Sequence, residues 1–142
     1  MKTADDSDIT PGPVRTAPAP APRHAAWLLA ADALLITLFA ALGNRTHVSG
    51  LGLLDILSTA FPFLLAWALA STLVRTWRRP SRIWPDGVVV LGVTVALGML
   101  LRVLLGLGGA PVSFVLVTTV TLAVFLLGRR ALTSLIRRPG RA

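Results

Sequence analysis

The stretch GVVVLGVTVALGMLLRVLLGL, residues 87–107, decides the fold class. Its 21 residues carry a single charge, Arg102, and one hydroxyl, Thr94. At about 1.5 Å per residue, a helix of this length covers the roughly 30 Å of hydrocarbon in a bilayer. Lipid offers no partner to a backbone N–H or C=O, so a crossing segment must be a helix or part of a closed barrel. The alternating pattern of a barrel strand is missing. Three more runs, at about 25–43, 51–74 and 112–128, have the same character. The expectation is an all-α polytopic membrane protein with four transmembrane helices, occupying residues 25–130.

Composition agrees. Of 142 residues, 54% are hydrophobic and 14% charged, with a mean hydropathy of +0.74. A soluble domain of this size buries too little surface to hide so much apolar side chain. Cysteine is absent and the only histidines are His24 and His47. Disulfides, thiolate sites and most histidine-based metal or haem sites are therefore excluded, and neither a metal nor a cofactor is expected. No nucleophile–base pair or extramembrane substrate domain is evident, so an enzyme is not expected.

Residues 1–24 differ from the rest. They hold Pro11, Pro13, Pro18, Pro20 and Pro22 with Asp5, Asp6 and Asp8, a composition that cannot bury enough surface to offset ordering. A disordered N-terminal tail is expected. The first apolar run is longer than a signal-peptide core, is interrupted by Asp32 and lacks a cleavage site, so it reads as a retained helix.

Net charge is +8, from fourteen Lys+Arg and six Asp+Glu. Twelve of the fourteen cations fall in the N-terminal tail, the 75–82 loop and the basic tail that includes residues 131–142. Four helices place those segments on one side, so the positive-inside rule makes both termini cytoplasmic at the cell membrane. Anionic headgroups on that face are the expected partner of the arginines. Nucleic acid is not, because the cations flank helix ends rather than forming a basic face. Trp27, Trp77 and Trp84 fall at the same interface.

Asp32, Asp55 and Arg102 are the charges that orientation leaves unexplained, and each is costly in hydrocarbon unless paired. Asp55 and Arg102 lie at a similar depth near the outer ends of helices two and three, where they could form an ion pair, and Arg102 could also reach towards Asp32. Asp55, Ser58, Thr59, Pro62 and Ala66 share one helix face, as do Thr94, Gly98 and Arg102. Ala66 with Ala70, and Gly92 with Ala96, permit close helix approach. Arg45 and His47 in the outer loop are further candidates, His47 as an external pH sensor.

Several segments resemble a known family in order along the chain. They are Asp32 through Phe39 to Gly-Asn-Arg-Thr-His at 43–47, Phe61-Pro62-Phe63, Trp77-Arg78-Arg79-Pro80 and Trp84-Pro85-Asp86-Gly87. Thr94-Val95 through Gly98-Met99 to Arg102, then Phe114 and Gly128-Arg129-Arg130, complete the series. From Trp27 to Arg130 the chain resembles the domain of unknown function 3054 family, with a departure at Asn44, where a basic residue is expected. The resemblance implies a small four-helix bacterial or archaeal membrane protein of no established activity. It points to Asp32, His47 and Arg102.

Two functional readings follow. One is a protein acting through helix packing, as a homo-oligomer or an accessory subunit of a membrane complex. The other is a small transporter or proton/ion-conducting protein using Asp32, Asp55 and Arg102.

Overall fold

The computed structural model describes residues 22–44 and 52–136. Residues 1–21 of the expected tail, Arg45 and His47 lie outside these residues. Among the described residues, four helices are long and apolar enough to cross a membrane. Helix α1 covers Pro22–Asn44, α2 Leu53–Val74 and α3 Val88–Leu104. The fourth crossing is composite, with α4 at Val112–Leu122, a π turn at Ala123–Leu127 and α5 at Gly128–Ile136.

Two boundaries differ from the sequence reading. Helix α1 begins at Pro22, inside the expected tail, because proline is tolerated in a first helical turn. The fourth crossing continues to Ile136 instead of ending near residue 128. Arg129 and Arg130 are therefore helical residues of the bundle, and residues 131–136 of the expected basic tail continue the helix.

Helix α2 stops at Arg75, whose φ of 54° is left-handed and whose N–H closes on the carbonyls of Ser71 and Thr72. A short 3-10 turn, Thr76–Arg78, follows and packs on α1. A wide turn at Ile83–Gly87 then leads into α3 and packs on α5. The α2–α3 connection thus gathers at one end of the bundle with α5, hereafter the terminal end. The α3–α4 connection closes the far end.

The core runs along the bundle axis through Ile36, Phe39, Phe63, Leu91, Val95, Met99, Leu122 and Leu126. Phe39 and Phe63 meet edge to face with centroids 5.6 Å apart, the geometry that ring quadrupoles favour. Gly98 is what lets Phe63 lie against α3, since a Cβ there would sit 2.5 Å from the ring.

The two small-residue pairs have separate fates. Ala66 and Ala70 are buried in the bundle, whereas Gly92 and Ala96 face outward from α3.

Candidate functional site

Asp32 lies ten residues into α1 and is fully buried. Its carboxylate is gripped side-on by Arg129. Nε donates to Oδ1, and Nη2 donates to Oδ2 at 2.8 Å. Such a fork holds both charges in one fixed orientation. Arg130, also fully buried, brings Nη2 to 3.8 Å from the same Oδ2. The indole N–H of Trp67 on α2 lies beside the carboxylate without completing a hydrogen bond.

Each arginine also holds the α2–α3 connection. Arg129 Nη2 donates to the Pro80 carbonyl at 3.3 Å, and Arg130 Nη1 to the Arg82 carbonyl at 3.1 Å. Arg82 turns back to donate from Nε to the Trp84 carbonyl and stands 3.8 Å from Asp86. Gly87 clears the way for Arg130, because a Cβ there would lie 3.2 Å from its Cδ. One carboxylate thus joins α1, α5 and the connection.

Two adjacent arginines reach Asp32 because of the π turn. Thr118, Leu122, Leu126 and Arg130 are buried at steps of four. In a regular helix each such step drifts by about 40°, so Arg130 would end about 120° from Thr118. One extra residue in a π turn cancels most of that rotation. Sequence reading counted Arg129 and Arg130 only as flanking cations. The signal that could have found them is this period-four stripe, which runs past the expected helix end.

The expected Asp55–Arg102 pair does not form. Asp55 is exposed in the first turn of α2, where its carboxylate folds back over Gly52 and faces the positive end of the helix dipole. Arg102 turns instead towards α4, with its guanidinium 4.9 Å above the Phe114 ring and beneath Gly108. Equal depth did not mean a shared face. Ser58 is exposed with Asp55, so the polar stripe of α2 turns inward only from Pro62. Thr94 is buried and donates to the Val90 carbonyl of its own helix at 2.6 Å. Asp32 does not join Arg102, and its partners are at the terminal end.

A family model described as protein of unknown function (DUF3054) matches residues 29–133. The chain belongs to that family. The match takes in Asp32, Arg129 and Arg130, and so the whole ion cluster. No curated protein and no solved structure is significantly similar to the chain.

Proposed function

We propose that this DUF3054 protein is a packing module of the cell membrane, with both termini cytoplasmic. It associates through its lateral surface with a second copy or, as an accessory subunit, with another membrane protein. Gly92 and Ala96 carry this reading. They lie one turn apart on the outward face of α3, and among the described residues nothing beyond Gly92's own helix backbone and chain neighbours comes within 4 Å of where its Cβ would be. Lipid tails are as apolar as leucine, so helices associate in a bilayer through close backbone approach at small residues. The cation asymmetry supports the orientation.

The internal charges favour packing over conduction. Asp32 is held by two arginines, and Asp55 and Arg102 turn away from each other. A conducting path would need these groups to line one route. The proposed role is non-enzymatic.

The cysteine-free sequence makes the test simple. Ala96→Cys is expected to crosslink in native membranes far more strongly than Leu69→Cys, which lies on an exposed face of α2. Adding Gly92→Leu should abolish that crosslink while leaving the melting temperature of the purified protein nearly unchanged. Equal crosslinking from both cysteines, or a crosslink indifferent to Gly92→Leu, would contradict the reading.

A further inference from the structure

We propose that the two arginines at the terminal end form a binding site for one phosphate-class oxyanion. The first ground is charge. Arg130 and Asp32 are fully buried and the Arg129 side chain is 9% exposed. Among the described residues, Asp86 is the other carboxylate at this end; it stands 3.8 Å from Arg82 and also acts on Arg130. Among the described residues the cluster thus sets Arg82, Arg129 and Arg130 against Asp32 and Asp86, one positive charge in excess, where an uncompensated charge is unfavourable.

The second ground is unused donors. Arg129 Nη1 and Arg130 Nε and Nη2 are buried without a hydrogen-bond partner. The Ser81 hydroxyl is likewise buried and unpartnered. It lies between Pro80 and Arg82, the two residues whose carbonyls hold the arginines. Both guanidiniums approach the same Oδ2 of Asp32, at 2.8 Å and 3.8 Å, so they are close enough to share one further ligand. Buried polar groups in native proteins are nearly always satisfied, by an ion or water if not by protein. A guanidinium only donates, so its missing partner is an acceptor, and the excess charge makes that acceptor an anion. An oxyanion with several acceptor oxygens matches the fork geometry of arginine.

Such an anion has two sources, free phosphate or the phosphate of an anionic lipid headgroup. Trp27 and Trp84, both highly exposed at this end, mark the level of an interface where headgroups are within reach.

The test is the melting temperature of the full chain in a neutral maltoside detergent at fixed ionic strength. Inorganic phosphate, phosphatidylglycerol and phosphatidylcholine are titrated separately. A saturating rise of about 5 °C is expected with phosphate or phosphatidylglycerol, and little with phosphatidylcholine. A response to phosphate identifies the free ion as a sufficient ligand, and one confined to phosphatidylglycerol identifies the headgroup. Arg130→Gln removes the excess charge and should abolish the response. Should that variant not fold, Ser81→Asp decides, because it supplies a carboxylate in place. It should melt higher than the unaltered protein without anion and respond to none. Three results would overturn the site. They are a flat response to both anionic probes, an equal response to both lipids, and a response undiminished in Ser81→Asp.

Discussion

Asp55 and Arg102 show what a single position in a membrane helix can and cannot be asked to do. Both sit near the far end of the bundle, yet one folds over its own helix start and the other stacks on Phe114. Groups that do not touch and share no partner contribute independently to stability. In a double-mutant cycle, Asp55→Asn and Arg102→Gln should therefore add to within about 0.5 kcal/mol. Denaturant titration in detergent measures this, and a larger coupling would mean the side chains meet after all. Their depth was legible, because depth follows from counting residues along an apolar run. Their faces were not legible, because the turn at Gly52 and the connection through Gly108 set where each side chain points. Asp32 was recognisable as anomalous from its apolar neighbours alone. Its partners were not as plain, because two arginines just beyond Leu127 read as headgroup cations unless the stripe of Thr118, Leu122 and Leu126 is followed past the expected helix end.

At the scale of elements, the four crossings are legible because long apolar runs leave a chain in lipid few alternatives. The π turn at Ala123–Leu127 has no such signature. Its residues are ordinary helix and strand formers, and only tertiary pairing across the bundle explains the extra residue. Deleting Val124, which is exposed on the outer surface, would restore a regular helix and rotate α5 by about 100°. Arg129 and Arg130 would then leave Asp32. The deletion should lower the melting temperature more than Asp32→Asn, because it also releases the Pro80 and Arg82 carbonyls. The two together should be no worse than the deletion alone, which already breaks every contact of Asp32 with the arginines. Thermal melting decides this, and a deletion that leaves stability intact would deny the π turn its role.

At the scale of the whole molecule, the +8 charge divides into parts with different work. Arg75, Arg78, Arg79 and Arg82 lie in the α2–α3 connection at the terminal end, the loop charge that orients membrane helices. Arg129 and Arg130 belong instead to the interior, where they bind α5 to α1 and to the α2–α3 connection. The bundle is thus closed at the terminal end by ions and along its axis by apolar packing. Its outward faces are left to lipid or to another helix. If Asp32 and Arg129 are that closure, the energies of removing them must be coupled. The direct measurement is a double-mutant cycle on unfolding free energy with Asp32→Asn, Arg129→Gln and the pair. Each single change should cost about 3–5 kcal/mol by leaving a buried partner unmatched. The double should be less costly than their sum by about 1–3 kcal/mol. Additivity within about 0.5 kcal/mol would contradict the ion lock.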